Sequence, residues 1–183
     1  MRTSTIRGAV ALAALATLTV ACSSSTTAPT ALVPAGTHQS EITATTGTAR
    51  GGVSVTPKAI PDGTMDVDIS ITVINALPNA KYFVQRAPEI GRALAADGVC
   101  QRALGLSPWS PNDPPAAAFL TFPLGTGVAT LTTAANGTGS VDFEFRSPTI
   151  AAGTLFDVMF RLVDNETAPT VESRSGCFTV VVK

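Results

Sequence analysis

Histidine is nearly missing from this chain: His38 is the only one in 183 residues. A Ser-His-Asp triad needs a histidine oriented beside its nucleophile, and zinc sites draw on clusters of His and Cys. One histidine and three widely separated cysteines, Cys22, Cys100 and Cys177, supply neither. No metal and no cofactor are therefore expected. Charge is scarce too, at 14% of residues, with no basic run and no interleaving of basic and aromatic residues. Nucleic-acid binding rests on neutralising phosphates, so nucleic acid is not expected as a partner. Long apolar runs are also lacking. The uncharged stretch at 8–21 falls short of the ~20 residues that a membrane-spanning helix needs.

That stretch has another reading. Arg2 and Arg7 precede it and the small residue Ala21 closes it, the layout of a secretory signal peptide over 1–21. The residues Thr19-Val20-Ala21-Cys22 resemble the lipobox of bacterial lipoproteins. The resemblance covers the first 22 residues only. It implies that Cys22 becomes the new N-terminus, carries lipid, and anchors the exported chain to the cell envelope, on its periplasmic or surface face. The family prefers Leu three residues before the Cys; here Thr19 stands there and Leu18 lies one residue earlier. Ordinary cleavage after Ala21 is the alternative. Without Arg2 and Arg7, ten basic groups face thirteen acidic ones, a net charge of −3.

An acylated Cys22 leaves Cys100 and Cys177, which an oxidising compartment would pair. The bond would close a loop of about 78 residues, stabilising by about 4–5 kcal/mol in the chain-entropy model. Two buried free thiols are the alternative. Residues 22–49 are rich in Ser, Thr, Ala, Pro and Gly, with Glu41 their only acidic or basic residue. Such a segment offers little apolar area against its ordering entropy, so a flexible tether is expected. His38 falls inside it and is expected to be solvated.

Residues 50–183 read as one domain of ordinary size. Its plainest signal lies at 64–75, where Met65, Val67, Ile69, Ile71 and Val73 alternate with Asp66, Asp68, Ser70 and Thr72. Period-two alternation over this length predicts a strand with one buried and one wet face. Similar segments lie at 52–59, 81–86, 116–122, 127–133, 139–146, 154–164 and 176–183, separated by turn residues. Pro57 argues for an edge or a strand end. Asn136-Gly137 is a hairpin signal. Residues 87–115 interrupt the pattern with Pro and Gly, and 88–96 has the makings of a short helix ended by Asp97-Gly98. Seven or eight short strands predict an all-β fold, an antiparallel β-sandwich, immunoglobulin-like in the loose sense. A closed β-barrel is the alternative.

Candidate chemistry is sparse. Asp66 with Asp68, and Asp142 with Glu144, each project two carboxylates from one strand face, about 6–7 Å apart along the backbone. That spacing suits glycoside hydrolysis, but both pairs fall on faces expected to be wet. Asp62, Asp66, Asp97, Asp113, Asp164, Asn165 and Glu166 carry oxygens of the type calcium takes, without EF-hand spacing. Trp109, in the Pro-rich loop, could stack on a sugar or anchor a partner; its plainer reading is a lid over one end of the domain. The expected function is a non-catalytic cell-envelope lipoprotein, a binding or interaction module. Its partners would be the membrane, through lipid on Cys22, and an envelope protein or glycan. A carbohydrate- or small-ligand-binding module using 87–115, and a hydrolase with paired carboxylates, are the other readings.

Overall fold

The computed structural model describes residues 36–92, 94–105 and 119–183. In chain order these form β1 (His38–Ala44), β2 (Arg50–Lys58), β3 (Thr64–Ile74), β4 (Lys81–Pro88), the helical turn α1 (Gln101–Leu104), β5 (Leu120–Thr121), β6 (Pro123–Leu124), β7 (Gly127–Val128), β8 (Thr130–Thr132), β9 (Gly139–Ala151), β10 (Leu155–Val163), β11 (Glu172–Ser175) and β12 (Phe178–Val181). The fold is all-β and antiparallel, as the alternation predicts. One large sheet runs β5-β4-β10-β11-β1-β2-β3-β9, with β8 also on β4 and β12 also on β10, and β6 and β7 make a small ribbon. The five alternating apolar residues of β3, Met65 to Val73, are all buried, Val67 and Ile71 completely.

The sheet curls until β2, β3 and β9 face β4, β10 and β12 across a single core. Aromatic rings tie the two sides together. Phe122 meets Phe143 and Phe145 edge-on at 5.2 and 5.1 Å and stacks on Phe160 at 5.6 Å. Ring contacts of this kind contribute about 0.5–1.5 kcal/mol beyond area burial.

Several expectations need correction. His38–Ala44 is not tether: it is β1, paired with β2 on one edge and β11 on the other. Only Ile42 of β1 is fully buried, and a strand held by two ladders needs little apolar area of its own. His38 is accordingly half-buried, with Nε2 accepting the Val181 N–H at 3.4 Å. β11, another short polar strand, also escapes the alternation pattern. Pro57 lies in an interior strand, but β1 ends opposite Val55, so no ladder partner on that edge misses its N–H. The helix expected at 88–96 is absent; Gly91, at φ +79°, stands inside that segment, and the helical turn comes later, at α1.

Burial of the outer faces differs too. Asp157, expected to point outward from β10, is completely buried. The segment after β4 folds over the outer face of β10, and the Asp157 carboxylate accepts from the Gly98 N–H and the Thr179 hydroxyl, each at 2.6 Å. The Cys100–Cys177 disulfide joins this covering segment to the start of β12, with Cα atoms 5.6 Å apart. It lies in a second apolar cluster with Ala87, Ala103, Phe119 and Met159, on the side of the sheet away from the main core. Finally, β9 runs past its expected end. Its register against β3 jumps from Met65–Ser147 to Thr64–Ala151, a bulge that accommodates Pro148.

Candidate functional site

Alternation along β4 sends Tyr82, Val84, Arg86 and Pro88 toward the main core, and Phe83, Gln85 and Ala87 to the other face. An arginine thus occupies a position in phase with core residues. It borders an apolar cavity of about 120 Å³ between the facing arrays. Val67 and Ile69 of β3, Phe145 of β9, Phe156 and Phe160 of β10 and Val180 of β12 form its walls. Pro88, Ile90, Ser147 and Ile150, all partly exposed, mark its open side. The β9 bulge carries Ile150 there.

Arg86 and Ser147 are the polar side chains among the described lining residues. The Arg86 guanidinium lies over the Phe122 ring at 4.2 Å and the Phe145 ring at 5.0 Å. Its Nη1 donates to the carbonyl oxygens of Leu120 at 3.1 Å and Thr121 at 2.7 Å. Burial, and secondarily the nearby Arg102 charge, push its pKa down to about 10, so it stays a cation at neutral pH. Facing rings and carbonyls replace part of its water. Chemically, the site offers apolar walls, one cation and one hydroxyl.

The carboxylate pairs form a different arrangement, away from this cavity. Lys58, Asp66 and Arg146 lie side by side across β2, β3 and β9. Asp66, expected to be wet, is 1% exposed because the two basic side chains cover it, Lys58 Nζ at 2.9 Å and Arg146 Nη2 at 2.7 Å. Lys58 also reaches Asp68 and Glu144, each at 2.9 Å. A second buried carboxylate, Glu89, accepts the Arg102 N–H at 2.6 Å and pairs with Arg92 Nε at 2.9 Å. Burial raises its pKa above the ordinary 4.5 despite these partners. Both arrangements bind segments of the chain to one another.

Most of the loop oxygens serve their own turns, while Glu166 accepts from the Thr121 hydroxyl at 2.6 Å. Asp62 accepts from the N–H and hydroxyl of Thr64, Asp97 from the Val99 N–H, and Asp164 from Thr170 and Val171. Among the described residues, no group of three or more His, Cys, Asp or Glu is placed to hold a metal ion. Among them, too, no helix is long and apolar enough to cross a membrane. Cys22, Trp109 and Asp113 lie outside the described residues.

Arg86 did not stand out in the sequence. The signal was there, since it shares the parity of Tyr82 and Val84, but at the end of an expected strand a charge reads as the start of solvent. The chain matches no protein-family model, no curated protein and no solved structure.

Proposed function

We propose that this chain is an exported, non-catalytic binding module, anchored to the cell envelope by lipid on Cys22, whose domain takes a small apolar ligand between its facing arrays. The open-sided apolar cavity carries this reading. Val, Ile and Phe walls left uncovered on one side hold apolar area from which a ligand would displace water. Arg2, Arg7 and the run at 8–21 support export, and the lipobox-like residues 19–22 support acylation. Architecturally, we read the curled sheet as an open β-sandwich, immunoglobulin-like in the loose sense. Its hydrogen-bonded path ends at β5 and β9 without joining them, unlike a closed barrel.

Nile red, an uncharged dye that brightens in apolar surroundings, tests the cavity. The wild-type protein is expected to enhance and blue-shift its emission. Ser147→Trp, placed at the open side, is expected to suppress the response with the circular dichroism spectrum unchanged. A dye indifferent to the wild type would refute the cavity as a ligand site. Fractionation tests the anchor: wild type is expected in the membrane fraction and Cys22→Ser in the soluble fraction. Equal solubility of the two would refute it.

A further inference from the structure

The single charge in an otherwise apolar cavity narrows the ligand. We propose that the site takes a monoanionic amphiphile of the fatty-acid class, with its carboxylate on Arg86 and its chain along the walls of Val67, Ile69, Phe156 and Phe160. The inference rests on the cavity being a ligand site, as proposed above.

Arg86 differs from four other arginines in the fold. Arg92, Arg146, Arg161 and Arg174 each lie against an aspartate or glutamate. Arg86 has rings and two backbone carbonyls instead, and among the described residues no carboxylate lies within ion-pairing distance. Neutral partners only partly offset the desolvation of a cation. A guanidinium also has five N–H donors in a fixed fork. Both hydrogen bonds of Arg86 leave from Nη1. Its Nε–Nη2 edge, the side that grips a carboxylate bidentately, has no protein acceptor among the described residues. An incoming carboxylate would supply the missing counter-charge where the low dielectric makes it count most.

The rest of the cavity fits a hydrocarbon chain better than a sugar or a peptide. Its walls carry no amide or carboxylate side chains to meet several hydroxyls or peptide groups. A volume of 120 Å³ has room for about four water-sized groups at ~30 Å³ each. The cavity would therefore enclose about four carbons next to the carboxylate, and the rest of a longer chain would project past Ile90 and Ile150.

Titration calorimetry of the purified exported chain with decanoate and with decanol provides the test. Wild type is expected to bind decanoate about tenfold or more tighter than decanol, since hydrogen bonds to charged groups exceed neutral ones by that order. Arg86→Met is expected to remove the preference, bringing decanoate binding to the level of decanol, with an unchanged circular dichroism spectrum showing that the variant folds. Equal binding of the two ligands by wild type would overturn the anion preference while leaving the cavity a ligand site. An Arg86→Met variant that keeps the decanoate preference would overturn it equally. If wild type binds neither ligand, the cavity reading itself fails, and this inference with it.

Discussion

A guanidinium between phenyl rings has exchanged most of its water for fixed neighbours, and the same exchange recurs at single residues elsewhere in the fold. The Asp164 carboxylate accepts from the Thr170 hydroxyl and the Val171 N–H, which hold its pKa down at about 2. The Thr64 hydroxyl and N–H depress Asp62 below its ordinary 3.8. Lys58, then Arg146, depress Glu144 below 4.5. A carboxylate with a lowered folded-state pKa stabilises the fold above its unfolded pKa, and that stability is lost as pH falls through the folded value. Glu89, raised by burial, acts in the opposite sense, so its penalty is relieved on acidification. Burial raises Glu172 too, but the hydrogen bonds and charges of Arg174 and Arg161 outweigh it and leave the group below 4.5. Four depressed carboxylates against one raised one predict a net loss. His38, held below its ordinary 6.5 by burial and then by Lys183, takes its proton first in the unfolded chain. The urea midpoint is therefore expected to begin a slight fall below about pH 6.5 and then to fall steadily from about pH 4.5 toward pH 2. Asp164→Asn is expected to flatten part of that slope. A midpoint that rises on acidification would contradict the assignment.

At the scale of elements, β1 is the piece that joins the halves. On one side of it lie β11, β10 and β4, and on the other β2, β3 and β9. A chain beginning at Gly36 is expected to keep its thermal midpoint within about 2 °C. A chain beginning at Thr45, which lacks β1, is expected to lose cooperative unfolding and to aggregate, because it bares the edges of β2 and β11 together. Scanning calorimetry decides between these outcomes. What the sequence made legible follows the same division. Strands with one wet and one greasy face, such as β3 and the first half of β9, were visible from alternation. β1 (HQSEITA) and β11 (ESRS) were not, since each is held by ladders on both edges and carries little apolar material. β10 was visible as a strand but not in its burial. Its outer face is covered by a segment whose docking depends on Asp157, Glu89 and a disulfide, partners far apart in the chain. The Cys100–Cys177 pairing was expected only on setting Cys22 aside as acylated, with two free thiols as the alternative. The cavity was not, because it depends on how far two arrays of one sheet stand apart, and no local pattern records that distance.

At the scale of the whole molecule, the placement of β1 bears on how the domain would carry load. Under the anchoring proposed above any tug would arrive from the N-terminal side, and the first regular segment among the described residues is a mid-sheet strand with hydrogen bonds along both flanks. Tension entering at Thr37 runs lengthwise down that strand, so two rows of bonds must shear in concert before it slides free. An outermost strand drawn the same way would have only one row to resist. A pull on that end would therefore grip the domain along its midline and be shared by both halves of the sheet.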